Sequence, residues 1–105
     1  MLSATKKIIN DVKDHLMKKN IKPVLKVAHH FEERMIERFD GIVKDFDKQE
    51  LTRFERTIEK AIEKLPVSNK AQEYTHPAYG ISIVAKKLGA NYLELVTCYK
   101  KEAMC

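Results

Sequence analysis

A row of basic side chains is the feature of this sequence best suited to chemistry. His30, Arg34 and Arg38 recur every four residues, so on a helix they form one ridge. An imidazole exchanges protons near neutral pH, and guanidinium groups bind phosphate through forked hydrogen bonds. Cleavage of RNA through its own 2′-hydroxyl needs both, because a proton must move while charge develops on the phosphate. The ridge is a candidate active site, and a histidine that only supports the helix edge is the alternative.

Residues outside this ridge are candidates for the same site. Tyr99 closes the last predicted strand, where a tyrosine can stack on a base or donate a proton. His76, in a loop before a proline, is a secondary acid/base candidate. Because His29 and His30 are adjacent, either of them can be the histidine of the ridge. Four lysines are predicted to contact nucleic acid: Lys86, Lys87, Lys100 and Lys101.

A helix must position this ridge, and the apolar residues of the same stretch predict one. Phe31, Met35 and Phe39 recur every four residues, which is the pattern of a buried helix face. The helix is predicted to end at residues 40–41, and residues 40–47 are expected to form a loop. Residues 23–28 are interpreted as a strand leading into it, with a continuous helix from the proline at 23 as the alternative.

A first helix is predicted at residues 3–19, with Ser3 as its N-cap and Asn20 as the left-handed residue that ends it. The lysines of this segment make the helix basic. They are interpreted as a solvated face, and a phosphate-tracking arm is the alternative.

Another helix is predicted at residues 48–65, where Asp47 and Glu50 resemble a capping box. The apolar face of this helix is expected to contain Leu51, Phe54, Ile58, Ala61, Ile62 and Leu65. Four cations lie roughly opposite that face, and solvation is their predicted role: Arg53, Arg56, Lys60 and Lys64.

The last third of the chain changes to the two-residue period of strands. Strands are predicted at 72–75, 79–86 and 92–99, with a turn at 88–91. They form an antiparallel meander that carries Leu93, Leu95 and Thr97 on one face. The expected fold class is α+β: an antiparallel sheet of the short N-terminal strand and the meander, with helices packed on one face.

Composition restricts the class of protein. A chain of 105 residues with 44% hydrophobic residues forms one domain with its own core. The net charge of +5 favours anionic partners such as RNA. No apolar run reaches the length of a membrane span and no secretory signal is recognised, so a cytoplasmic protein with reduced Cys98 and Cys105 is expected. No metal or cofactor motif is found, and neither group is expected.

Two motifs give the chain a family resemblance. The pattern His-x-x-x-Arg-Met-x-x-Arg begins at His30, and Val-Thr-x-Tyr ends at Tyr99, after the segment Gly-Ile-Ser-Ile-Val at residues 80–84. In this order they resemble a branch of the RelE/ParE toxin superfamily. The resemblance covers about residues 23–101 and makes the chain a single RelE-like domain, 1–105, with residues 1–20 as a helical extension.

The resemblance implies two helices on an antiparallel sheet and a small metal-independent endoribonuclease. Such a toxin-like mRNA interferase cuts free or ribosome-bound mRNA, and an antitoxin or a host protein is a further partner. The catalytic residues implied are His30, Arg34, Arg38 and Tyr99. The superfamily also contains gyrase-directed toxins and members without known activity. A non-catalytic phage or mobile-element protein that inhibits a host factor, and a nucleic-acid-binding module without chemistry, are therefore the alternatives.

Overall fold

The computed structural model describes residues 2–101, so the prediction for Cys105 lies outside the described residues. This part of the chain forms four helices and four strands. In chain order they are α1 (Ser3–Met17), β1 (Val24–Val27), α2 (His29–Arg38), α3 (Asp40–Asp45), α4 (Lys48–Lys64), β2 (Gln72–Thr75), β3 (Ile81–Gly89) and β4 (Tyr92–Lys100). No helix within residues 2–101 is both long enough and apolar enough to cross a membrane.

The four strands form one sheet in the order β1-β4-β3-β2, with the helices on one side. The α+β fold class and the antiparallel meander of β2, β3 and β4 are confirmed. β1 departs from a purely antiparallel arrangement, because it runs parallel to β4, with Val24 opposite Tyr92 and Val27 opposite Leu95. Local periodicity identifies a strand but not its partner, so the direction of β1 depends on which edge of the meander it joins.

The start of α1 differs from the prediction. The helix begins at Ser3, and Leu2 holds the cap position without a side-chain bond. Glu32 of α2 binds this end instead: its Oε2 accepts the Leu2 N–H at 2.7 Å and the Thr5 hydroxyl at 3.0 Å. A carboxylate from another helix thus supplies the negative charge that a helix N-terminus favours. The predicted left-handed residue at the other end is confirmed, because Asn20 has a φ of 61°.

The predicted loop at residues 40–47 was wrong, because α3 occupies most of it. Ile42 is fully buried and anchors this short helix, and Phe46, with a φ of 49°, ends it. Asp47 then caps α4 as predicted, accepting the backbone N–H groups of Gln49 at 3.0 Å and Glu50 at 3.1 Å. The reciprocal half of the capping box is absent, since the Asp47 N–H donates to a backbone carbonyl of α3 at 3.0 Å.

Three phenylalanines form the centre of the core. The ring of Phe54 on α4 meets Phe31 edge-on at 5.8 Å between centroids and Phe39 at 4.8 Å, and all three are fully buried. The predicted apolar face of α4 is confirmed in full, because all six of its residues are buried. α1 also packs against α4, and its residues Ile8 and Val12 are buried.

A carboxyl group lies at the contact between α1 and α4. Oε2 of Glu55 is buried and has no hydrogen-bond donor among the described residues. The carboxyl of Asp11 lies beside it, and Lys7 lies 3.4 Å from Asp11. Burial, and then the hydrogen bond that a protonated Glu55 donates to Asp11, raise the pKa of Glu55 from an ordinary 4.5 to about 8. Glu55 therefore keeps its proton at neutral pH.

We expect Glu55→Gln to stabilise the protein increasingly as pH rises. The folded state holds the Glu55 proton up to about pH 8, whereas the unfolded chain releases it near pH 4.5. Stability from this group therefore falls as pH rises through that window, and an amide removes the fall. Melting temperatures between these pH values are the measurement. Glu63→Gln, an exposed change on the same helix, is the control, and equal slopes for wild type and Glu55→Gln would contradict the assignment.

Candidate nucleic-acid interface

The predicted ridge of His30, Arg34 and Arg38 lies on α2, which follows β1 directly. Phe31 and Met35 are fully buried, and they hold the apolar stripe of the helix, which the ridge flanks, against the core. Residues four apart stack along a helix, so the three basic side chains follow each other with about 6 Å of rise between neighbours. α2 thus presents the ridge as a row along its surface.

His30 has the solvent access that an acid/base group needs. Its side chain is 73% exposed, and Nδ1 lies 3.4 Å from Oε2 of Glu33. His29 is 83% exposed and places Nε2 2.8 Å from the other oxygen of Glu33. A carboxylate that accepts Nδ1–H leaves Nε2 of a neutral His30 ring as a proton acceptor. The two histidines share one carboxylate, so both remain candidates for the motif histidine.

The two arginines of the ridge have different partners. Nη1 of Arg34 donates to both carboxylate oxygens of Glu37, at 2.9 and 2.8 Å. Nη1 of Arg38 donates to the Cys98 carbonyl oxygen at 3.1 Å. That carbonyl faces α2 because β1 pairs with β4 only as far as Leu95. Arg38 is therefore held at the edge of the sheet, whereas the positive charge of Arg34 is compensated by the carboxylate of Glu37.

A β-bulge near the end of β4 decides which way its side chains point. Val84 of β3 lies opposite Thr97, but the next residue, Ala85, lies opposite Leu95, so Val96 is an extra residue. The alternation of β4 shifts by one position at this point. The buried residues are Leu93, Leu95 and Cys98, which corrects the prediction of Leu93, Leu95 and Thr97.

The bulge places Lys100 on the helix side of the sheet and Tyr99 on the opposite side, since side chains alternate along a strand. The Lys100 ammonium lies 5.0 Å from the centroid of the Phe39 ring and forms an ion pair with Glu50. Packing against the ring and the carboxylate holds this lysine near Arg38.

Arg38, Tyr99 and Lys100 line an open depression at this edge of the sheet. We call it the Arg38 depression. His30 and Arg34 are outside its lining, although they lie on the same helix ridge. Arg38 and Lys100 can bind a phosphate there, and Tyr99 borders the depression from the other side of the sheet. The structure thus groups three of the predicted residues and leaves the predicted acid/base group about two helix turns from Arg38.

Lys86 and Lys101, which were predicted to contact nucleic acid, each lie beside an acidic residue. Lys86 is opposite Glu94 in the β3–β4 register. The Lys101 ammonium lies 3.1 Å from Oε2 of Glu73. An ion pair at the surface exchanges readily with other partners, so Lys101 remains accessible to an anion, whereas Lys86 is half-buried.

The prediction that Lys87 contacts nucleic acid was wrong. Its exposed fraction is 8%, and its ammonium donates to the backbone carbonyl of Ile62 in the last turn of α4. β3 points this residue inward with Ile83 and Ala85, and the last carbonyls of a helix lack partners within it. Lys87 therefore satisfies the end of α4 rather than an external phosphate.

A second group of basic and aromatic residues lies beside the β2–β3 loop. The rings of His76 and Tyr79 stack with 4.0 Å between centroids and 12° between planes. Nη1 of Arg56 donates to the Tyr79 hydroxyl at 3.0 Å, and the Arg53 guanidinium lies 5.7 Å from the Tyr79 centroid. We call these four residues the aromatic shelf.

Sequence reasoning treated the two arginines of the shelf as a solvated face and did not select Tyr79. The signal that was available is the i, i+3 spacing of Arg53 and Arg56 and the short His-Pro-Ala-Tyr segment. Nothing in the sequence indicates that this loop folds back over α4.

No group of three or more His, Cys, Asp or Glu side chains within residues 2–101 has the arrangement of a metal site. Cys98 is buried, with Sγ 3.9 Å from the Phe31 carbonyl oxygen. Burial raises the pKa of its thiol to about 12, so the thiol stays protonated at neutral pH. A protonated, buried thiol is a poor nucleophile, and Cys98 is a core residue.

Comparison of the chain with protein-family models, with curated proteins and with solved structures finds no match. The likeness to RelE/ParE toxins therefore depends on the two short motifs, at His30 and at Tyr99. The function that this likeness implies stays a proposal. The geometry of the ridge and of the Arg38 depression supports that proposal.

Proposed function

We propose that this protein is a cytoplasmic, RelE-like RNA-binding protein. The observation that carries the proposal is the Arg38 depression, in which a guanidinium fixed on a backbone carbonyl lies beside a tyrosine and a lysine. A guanidinium held in place loses little conformational entropy when it binds a phosphate. The chain's net charge of +5 attracts the same ligand over longer distances.

We propose further that the ridge cleaves RNA without a metal. His30 takes the proton of a 2′-hydroxyl, the 2′-oxygen attacks the adjacent phosphorus, and the bond to the 5′-oxygen breaks. The imidazolium then returns the proton to the leaving 5′-oxygen, which gives a 2′,3′-cyclic phosphate and a 5′-hydroxyl. Arg34, one turn away, stabilises the charge on the phosphorane. Arg38 and Tyr99 hold a neighbouring nucleotide. Support comes from the exposure of His30 and its contact with Glu33.

Incubation of the purified protein with RNA, alone and with ribosomes, tests the cleavage. The expected products end in a 2′,3′-cyclic phosphate and form in the presence of a chelator. Intact RNA in both reactions, from protein with a normal melting transition, would refute cleavage. Binding with a steep salt dependence and no product would instead identify an RNA-binding module without chemistry.

We expect Arg38→Ala to weaken RNA binding about ten-fold and to lower the slope of log affinity against log salt by about one. The reason is the loss of one phosphate contact from the Arg38 depression. Titration of a labelled single-stranded RNA at several salt concentrations is the measurement. Lys64→Ala removes an exposed charge at the far end of α4 and is the matched control. Equal losses in both variants would mean that only net charge matters.

One observation favours a non-catalytic alternative, a phage or mobile-element protein that inhibits a host factor or pairs with an antitoxin. Glu33 lies beside His30 and Glu37 pairs with Arg34, as on an ordinary solvated helix. In that case His30→Ala keeps full biological activity, whereas reversing charges on the lysine-rich α1 abolishes it. A host-growth assay with both variants distinguishes the two functions.

A further inference from the structure

We propose that the aromatic shelf is a second RNA subsite, which binds one nucleotide of the single strand held at the Arg38 depression. The inference rests on the proposed RNA binding and adds a location to it. Stacked aromatic rings bordered by guanidinium groups are the surfaces on which single-stranded bases stack, while the cations contact the backbone. Arg53 and Arg56 supply those cations.

The shelf is rigid before any ligand arrives. The His76 N–H donates to the Ile81 carbonyl at 2.9 Å, and the Gly80 N–H donates to the His76 carbonyl at 3.0 Å. Gly80 has a φ of 67°, and a side chain there would meet the backbone of Lys101, so the turn requires glycine. Nδ1 of His76 also accepts the Ala78 N–H at 3.1 Å. A preorganised loop binds a base at a lower cost in conformational entropy.

The electrostatics of the shelf suit an anionic, stacked ligand. Burial, followed by the charges of Lys60 and Arg56, lowers the pKa of His76 below its ordinary 6.5. The ring is therefore neutral at physiological pH and adds an aromatic surface without a charge of its own. The nearby cations remain available for phosphate. A base that stacks on the outer face of His76 extends the existing stack with Tyr79.

The shelf is continuous with the Arg38 depression. Lys100 lines the Arg38 depression and also a neighbouring hollow that it shares with Lys101, Arg53 and Tyr79. Arg53 and Tyr79 in turn border the surface that includes Arg56. Asp47 and Glu50 also line the middle hollow, so the track there is less positive than at its two ends. We therefore place nucleotide binding at the two ends of the track.

The test uses the whole chain and a single-stranded RNA of about ten nucleotides that contains 4-thiouridine. Irradiation should cross-link the RNA to residues 76–79, as mapped by mass spectrometry. Tyr79→Ala should weaken binding about ten-fold. Tyr79→Phe keeps the ring and should bind within about two-fold of wild type, which separates stacking from the hydroxyl contact with Arg56. Melting curves establish that both variants fold.

The outcomes separate this inference from the proposed function. If Arg38→Ala weakens binding while Tyr79→Ala does not and no adduct maps to the loop, the second subsite is refuted and RNA binding stands. If Tyr79→Ala weakens binding and Arg38→Ala does not, the shelf stands as an RNA site and the Arg38 depression is refuted. If wild-type protein binds no RNA at all, both proposals fall.

Discussion

Phe54→Ala is expected to lower the free energy of unfolding by about 3–5 kcal/mol. Phe54 is fully buried on α4, and its ring contacts the edges or faces of Phe31 and Phe39. Alanine removes the transfer free energy of the ring, leaves a cavity and breaks both aromatic contacts. A domain of this size has a total stability of only about 5–15 kcal/mol, so the variant is close to unfolding.

Urea denaturation followed by circular dichroism measures this change. Phe46→Ala is the matched control, because Phe46 is 42% exposed at the end of α3 and has no place in the core. The control should change stability by less than about 0.5 kcal/mol. A comparable loss in both variants, or a loss below about 1 kcal/mol in Phe54→Ala, would mean that α4 does not pack on α2 as described.

His30→Ala is expected to reduce the rate of RNA cleavage by about 10²–10⁴-fold, the usual contribution of a positioned acid/base group. RNA affinity should change little, because His30 lies outside the Arg38 depression. Single-turnover cleavage of an end-labelled RNA, measured beside equilibrium binding of the same RNA, separates the chemical step from binding.

His29→Ala is the control for this prediction, since both histidines contact Glu33 and both are exposed. Cleavage by His29→Ala at the wild-type rate assigns the reaction to His30. Loss of cleavage in His29→Ala, with normal cleavage in His30→Ala, would identify His29 as the base and shift the motif by one residue. Unchanged cleavage in both single variants would remove the ridge from the mechanism.

Periodicity in the sequence was enough to find most elements of this fold. Every predicted helix and strand is present, and the six apolar residues of α4 are all buried. Asp47 and Asn20 were correctly recognised as the residues that begin and end helices. These features depend on interactions within one or two turns, so neighbouring residues in the sequence suffice to predict them.

The features that were missed depend on distant parts of the chain. α3 forms because the core accommodates Ile42, and Glu32 replaces the expected Ser3 cap from another helix. Lys87 points inward because the alternation of side chains along β3 places it on the buried side. There its ammonium donates to the Ile62 carbonyl at the end of α4. Neither the Glu32 contact nor the Lys87 contact appears in a local pattern, since each joins residues at least 25 positions apart.

The same division applies to the candidate site. The sequence by itself determined the row of His30, Arg34 and Arg38, because a helix converts four-residue spacing into one ridge. Only the tertiary structure decided which residues of the ridge contact other parts of the chain. Arg38 reaches the Cys98 carbonyl because β1 ends before it. One extra residue in β4 determines on which side of the sheet Tyr99 and Lys100 lie. The aromatic shelf likewise exists only because the β2–β3 loop folds over α4. Spacing fixes the neighbours within an element, whereas register and packing fix the neighbours between elements.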